Sequence, residues 1–408
     1  MFKISVPSLA VAMALSASVQ AAEAADLAAF WTTTQRGGNS FNRLPPDAHY
    51  YEALRGYGAS WVRLSYDKWK PAQRDFLMGN ADDYQTLVAS DLATLQASVA
   101  KAHAAGLKVV IAPLSLPLSR WSQNNQGQFD DRIWKDRAHW KAAGQFWQDL
   151  ARALKDTPGI AAYNLINEPA PEKQGGMPEH ASAQAMQAWY AKAKGGSRDL
   201  PAFYQYLIAQ IRAVDPDTPI MVDAGWYGAA DAFAYWPEAL ADKRVLYSFH
   251  MYEPYQATST PNMKRKQPYR YPGEVPFAGK TQPWNQQRVA QYLGAVNSWA
   301  RSLAIAPEQI VMGEFGCVRM LGSCSQYLDD VLSYTEDKRY HWAFYSFRED
   351  AWDAMDYELG QAKVDWRYWD AMEKGLPDPV KRSATPEFEP IRKRLQQHLQ
   401  QHLQQHLQ

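Results

Sequence analysis

The chain has 408 residues, 46% of them hydrophobic and 13% aromatic, which is ample for one large core or two domains of ordinary size. Lysine plus arginine and aspartate plus glutamate both number 43, so no net charge draws the chain toward nucleic acid, and no basic tract marks a membrane-surface patch. The 16 tryptophans and 23 tyrosines exceed what a core of this size requires, which leaves some to line a groove for flat, weakly apolar ligands such as sugar rings.

Met1-Phe2-Lys3 supplies a short positive start, Ile4 to Val19 an apolar run, and Val19-Gln20-Ala21 the small-x-small pattern of a signal peptidase site. The run is too short and too serine-rich to anchor in a membrane. Residues 1–21 are therefore expected to be a signal peptide, with the mature chain soluble and secreted or periplasmic. Residues 22–390 are expected to form a single catalytic domain, and residues 391–408 a low-complexity Gln/His/Leu tail.

From residue 30 onward, β-like runs alternate with helical stretches. The expected strands are one near Ala29–Asn39, then Ala59–Ser65, Leu107–Ala112, Ile160–Ile166, Pro219–Asp223, Val245–Phe249, Gln309–Gly313 and His341–Ser346. The helix Asp91–Ala105 is closed by Gly106, and the helix around Ala138–Lys155 by Thr157-Pro158-Gly159. Eight such runs alternating with helices predict an α/β fold, a (β/α)8 TIM barrel with its helices outside. A doubly wound open sheet would carry a Gly-rich turn after its first strand, and Arg36-Gly37-Gly38-Asn39 is not G-x-G-x-x-G. The loops that follow strands are long (113–137, 169–200 and 252–285), as they are where a barrel builds its active face.

Two carboxylates stand out. Glu168 follows the fourth run in Asn164-Leu-Ile-Asn-Glu-Pro-Ala-Pro171, and Glu314 follows the seventh in Val311-Met-Gly-Glu-Phe-Gly316. Strand ends four and seven face each other across a barrel mouth, so these groups can flank a glycosidic bond as acid and nucleophile. Pro169 ends ladder pairing and turns the chain outward beside Glu168.

The only two cysteines, Cys317 and Cys324, lie in one loop-like segment. In an exported protein they read as a local disulfide, which stabilises by about 2–3 kcal/mol in the chain-entropy model; two unpaired thiols are the alternative. No nearby Cys or His completes a metal set. In the tail, His398, His402 and His406 have the i, i+4 spacing of a helical metal site, but the composition reads as low complexity.

With these motifs the chain resembles glycoside hydrolase family 5, the cellulase-type branch of the retaining (β/α)8 superfamily (clan A), over roughly residues 27–375. The resemblance implies that Glu168 is the general acid/base, Glu314 the nucleophile, and Asn167 a partner of the sugar 2-hydroxyl. It further implies that Arg63 in Trp61-Val-Arg-Leu64 supports the nucleophile and that His250 and Tyr252 complete the site. Ser115 stands where the family often has histidine, and Tyr345 or Phe347 where it has a tryptophan under the central sugar; both bear on subsite shape. Arg348-Glu349-Asp350 and Trp352 offer replacement sugar contacts, and Trp31, Trp121, Trp226 and Trp284 are further platform candidates.

The activity so implied is an exported retaining β-glycoside hydrolase with neither metal nor organic cofactor. An endo-β-1,4-glucanase leads, with a β-mannanase or an exopolysaccharide-directed or exo-acting β-glucanase behind it. A non-catalytic carbohydrate-binding barrel is the reading from another class. The expected partner is a β-linked polysaccharide or oligosaccharide bound by a monomer, with no nucleic acid and no membrane after signal cleavage.

Overall fold

A computed structural model of the chain describes residue 27 and residues 29–349, 353–374 and 376–405. The expected signal peptide, Asp350, Trp352 and His406 lie outside the described residues, and side chains are described as far as Gln397. Eight parallel strands close into a barrel: β1 Arg36–Ser40, β2 Trp61–Leu64, β3 Lys108–Ile111, β4 Ile160–Asn164, β5 Ile220–Asp223, β6 Val245–Met251, β7 Ile310–Phe315 and β8 His341–Phe344. Each strand pairs with its sequence neighbour around the ring, and β1 closes onto β8 through Arg36–Trp342 and Gly38–Phe344. The β6–β7 register shifts between Phe249 and His250, which sets His250 directly opposite Glu314. Such irregularities re-aim side chains near active sites.

The strands bury both faces, as parallel strands do. Inward residues Trp61, Val110, Ala162, Met221, Leu246 and Val311 fill the barrel, and outward ones pack beneath the helices. Helix Trp140–Leu154 shows the logic: Ala143, Phe146, Trp147, Leu150 and Leu154 recur on one face and are buried. Helix Leu200–Arg212, which packs against it, starts where the Asp199 carboxylate accepts from Ala202 N–H at 3.1 Å, with Pro201 in its first turn.

Expectations change in four parts of the chain. The run near Ala29 is strand only from Arg36 onward, and Trp31 is no sugar platform. Its indole donates to the Ala161 carbonyl at 3.0 Å and sits edge-on to Trp61 and His341, so it plugs the barrel at the strand starts, the end opposite Glu314. Within the loop after β6, expected as coil, Gly273–Phe277 and Lys280–Trp284 form an antiparallel hairpin. Trp284 is buried there against Phe277 and Tyr292, out of reach of a sugar.

The third change is the tail: a boundary after Pro390 cuts through the helix Glu389–Gln405. Ile391 and Leu395, four apart, are buried, and Arg36 donates to the Arg394 carbonyl at 3.0 Å. The start of the expected tail, as far as Leu395, is thus part of the fold. The fourth is the disulfide: Cys317 and Cys324 are free buried thiols. The Cys317 thiol turns to its neighbour's Val318 carbonyl at 3.8 Å, and burial, with Cys317 beside it, raises the Cys324 pKa. Among the described residues no helix is long and apolar enough to cross a membrane.

Candidate active site

Arg63, on β2, points into the barrel mouth and is wholly buried. A buried guanidinium needs anions and acceptors around it, and here it draws in four other strands or their ends. It donates to Asn39 at 3.2 Å from β1, to Asn164 at 2.8 Å from β4, and to Asn167 at 2.8 Å just beyond β4. The same group meets Asp223 of β5 at 3.2 Å and Glu314 of β7 at 2.6 Å. The second oxygen of Glu314 accepts from the Tyr252 hydroxyl at 2.9 Å.

Glu168 is held differently. Its backbone is left-handed, φ 50°, a conformation that costs energy for a non-glycine residue and recurs at functional sites. Two anchors hold it there: Asn167 N–H donates to the Pro113 carbonyl at 2.9 Å, and Glu168 N–H to Asp223 at 3.1 Å. Its carboxyl group meets His250 Nδ1 at 2.9 Å, while His250 Nε2 lies 3.4 Å from Asp223. The loop after β5 presses on that imidazole at Gly228, where any β-carbon would come within 2.9 Å of the ring.

Burial, with Asp223 adding its charge and Arg63 opposing, pushes the Glu168 pKa up to about 8. Glu314 is also raised by burial, but His250, Arg63 and the Tyr252 hydroxyl oppose the rise while Glu168 adds to it. Burial, with Arg63 adding to it, lowers the His250 pKa against the pull of Glu314 and Asp223, which favours the neutral ring. One oxygen of Glu168, one of Glu314 and a His250 nitrogen lie within 4.8 Å of one another. Chemically, this is a pair of carboxyl groups placed to hold one proton between them. These three donors, and separately those of Glu179, His180 and Glu253, are close enough together to meet a metal ion.

The pair lies in a cleft of about 560 Å3. Phe41, Trp121, Trp226, Tyr227, Tyr252 and Tyr345 supply its aromatic walls. Tyr345 stands edge-on to Phe41 and Tyr252, whereas Phe347 is buried against Tyr50. Of these two residues just past β8, Tyr345 is therefore the one at the cleft. Ser115 is buried and does not face the cleft: its hydroxyl accepts from Trp121 N–H at 2.9 Å, and its own N–H donates to Asp67 at 2.8 Å. It positions the Trp121 loop rather than touching a ligand. Lys68 lines the cleft in a 2.7 Å pair with buried Glu349.

Trp226 and Tyr227 both adopt positive φ (46° and 61°). Glu172, wholly buried, pins that turn by accepting from Trp226 N–H at 3.0 Å and from the Tyr235 hydroxyl at 2.5 Å. Gly225 makes the approach possible, since a β-carbon there would sit 1.9 Å from the Glu172 oxygen. Burial raises the Glu172 pKa to about 7. Sequence reading missed Asp223, Asn164, Asn39 and Glu172. Asp223 answers to the same rule as Glu314, a carboxylate closing an apolar strand.

A family model for cellulase (glycosyl hydrolase family 5) matches residues 22–351. Among solved structures, an endoglucanase superposes with TM-score 0.58 at 17% identity, covering 90% of this chain and 99% of that one. Endoglucanase Cel5A of the hyperthermophile Thermotoga maritima gives TM-score 0.56 at 15% identity over 77% and 89% of the two chains. The cellulose synthase subunit Z of Clostridioides difficile gives 0.56 at 17% over 82% and 97%. At these identities the superpositions establish the barrel fold alone. A comparison with curated proteins returns no match.

Proposed function

The chain belongs to the cellulase family, glycosyl hydrolase family 5, whose members act on O-glycosyl bonds, and from that premise we propose that it cleaves a β-linked polysaccharide by double displacement. Glu314 is the nucleophile and Glu168 the acid/base. The observation that carries this reading is the unequal environment of the two groups. Arg63 and Tyr252 both donate to Glu314, which favours its charged form, while Glu168 rests on a neutral histidine and keeps its proton to about pH 8.

In the first step a Glu314 oxygen attacks the anomeric carbon as the glycosidic oxygen takes the Glu168 proton and leaves. The Glu314 ester is neutral, so the charge beside Glu168 is gone and its affinity for a proton falls. Glu168 then removes a proton from water, which attacks the ester and releases a sugar of retained configuration. Closest oxygens within 4.8 Å favour this course: retaining pairs stand about 5–5.5 Å apart, whereas inverting pairs need about 6.5–9.5 Å to admit water between them. Asn167 has its amide oxygen occupied by Arg63, which leaves its NH2 for the sugar 2-hydroxyl.

The substrate we favour is a β-1,4-glucan, followed by β-mannan or a β-linked exopolysaccharide. We read the enzyme as exported, which rests on the apolar Ile4–Val19 run and the Val19-Gln20-Ala21 pattern. The reading is tested by assaying wild type and Glu314→Gln on β-glucan, mannan, xylan and aryl β-glycosides. Turnover by wild type alone is expected; equal turnover by the variant contradicts the nucleophile, and sugar binding without any turnover supports a binding barrel instead.

A further inference from the structure

A side cavity of about 170 Å3 opens off the cleft beside Glu168, between the loops that follow β3 and β4. It shares Leu114, Trp121, Asn167, Glu168 and Tyr227 with the main cleft. Glu168 protonates the departing oxygen in the reading above, so the sugar attached to that oxygen leaves from beside Glu168. Glu168 borders both the main cleft and this cavity, so the cavity is one of the spaces that a leaving sugar or its substituent can enter.

Its charged groups are not equivalent. Arg120 is consumed by two 2.8 Å bonds to Asp75 and one of 3.1 Å to Asp82. Asp130 is consumed by Arg132 and by Arg120 N–H. Among the described residues Lys173 makes no ion pair within 4.0 Å. Its ammonium instead sits 4.8 Å from the Phe129 ring and 5.2 Å from the Tyr227 ring. Cation–π contacts of this kind hold the head group in place without neutralising it. With Glu168 protonated at neutral pH, Lys173 leaves the cavity one positive charge in excess.

The position is also built rather than incidental. Glu172, the preceding residue, is wholly buried and fixed to Trp226 and Tyr235, and Tyr227 N–H donates to the Pro169 carbonyl at 3.2 Å. The loops after β4 and β5 are thus tied together on both sides of the Lys173–Tyr227 contact. An aromatic wall suits a sugar ring, and an unneutralised, positioned ammonium suits an anion on it.

We propose that the sugar on the Glu168 side carries a carboxylate held by Lys173, so that the substrate is an acidic β-glycan. The proposal deepens the hydrolase reading and rests on it. A carboxylate of this kind is either the ring's own C6 group, as in a uronic acid, or a pendant acid substituent.

The test compares kcat/KM on cellotetraose, its C6-oxidised glucuronosyl counterpart and O-carboxymethylated cellotetraose, for wild type, Lys173→Met and Lys173→Arg. Lys173 is exposed, so wild type is expected to prefer one acidic substrate over the neutral one by about twofold to fivefold, the upper range of an exposed ion pair. The acid that is preferred tells the ring carboxylate from the pendant one. Lys173→Met should abolish the ratio, Lys173→Arg should keep it, and high salt should erode it. A wild type indifferent to both acids, or a ratio unchanged in Lys173→Met, overturns the proposal.

Binding gives a readout that needs no turnover. Calorimetry of the Glu314→Gln variant with cellobiose, cellobiouronic acid and O-carboxymethylated cellobiose should favour one of the two acids, and adding Lys173→Met should remove that preference. Equal binding of all three sugars overturns the acidic subsite, while hydrolysis of neutral cellotetraose by wild type leaves the hydrolase reading standing.

Discussion

Arg63 Nη1 lies 2.6 Å from Glu314 Oε1, and Arg63 forms no ion pair with Glu168 although both carboxyl groups share one cleft. One guanidinium is thus assigned to one member of the pair. The other carboxyl group is left to a neutral imidazole and keeps its proton. The division of labour between nucleophile and acid follows from which strand end Arg63 reaches.

Replacing Arg63 by Met should therefore damage both stability and chemistry. Glu314 and Asp223 would be left as buried, uncompensated carboxylates, a loss of about 3–5 kcal/mol for a broken buried pair. Thermal denaturation reads the first effect. The second is an upward shift of the acidic limb of the pH–rate profile, because Glu314 then ionises less readily.

The pH dependence of the wild type should be bell-shaped, with an alkaline limb near pH 8 set by loss of the Glu168 proton. The stability consequence has a definite sign. The folded pKa is about 8 against an ordinary 4.5, so between these values the folded state holds more protons than the unfolded one, and stability falls as pH rises through the window. Glu168→Gln carries no titrating group and should show a smaller fall in Tm between pH 5 and pH 8, together with a loss of kcat of about 10²–10⁴-fold.

Tyr252→Phe removes one donor from Glu314 and leaves the ring in place. A hydrogen bond to a charged group contributes about 1.5–3 kcal/mol, so kcat/KM on an aryl β-glycoside should fall roughly 10- to 100-fold. The melting temperature should change little by comparison.

Glu172 acts at a distance, through the turn that presents Trp226 and Tyr227. Glu172→Gln keeps one acceptor oxygen and loses the other, at a cost of about 1–3 kcal/mol. Because the turn forms the wall of the cleft and not the reacting pair, KM should rise more than kcat falls. An equal loss in kcat and kcat/KM, with KM unchanged, would argue against a positioning role.

The barrel strands were legible because each is a short apolar run bounded by turn residues, and β2 through β8 fall within a few residues of where the pattern puts them. The carboxyl pair was legible for the opposite reason: a charge at the end of a buried run needs an explanation. Orientation was harder to read. Nothing local distinguishes a tryptophan that plugs the strand starts, such as Trp31, from one at the mouth, such as Trp121. The hairpin after β6 was hidden by Pro276 and Pro283, which lie inside its strands and read as loop, and by an Ala278-Gly279 turn without the usual Asn-Gly signal. Ser115 is singled out only by its place in the family resemblance; its partners Asp67 and Trp121 are set by loop packing that no local pattern shows.

The central claim, a covalent intermediate on Glu314, is tested most directly by trapping. Wild type is incubated with a 2-deoxy-2-fluoro aryl β-glycoside of the preferred sugar, digested, and mapped by mass spectrometry. The account predicts one glycosyl label per chain, on the peptide containing Glu314, and none in Glu314→Gln. A label on Glu168 or on any other residue would contradict it.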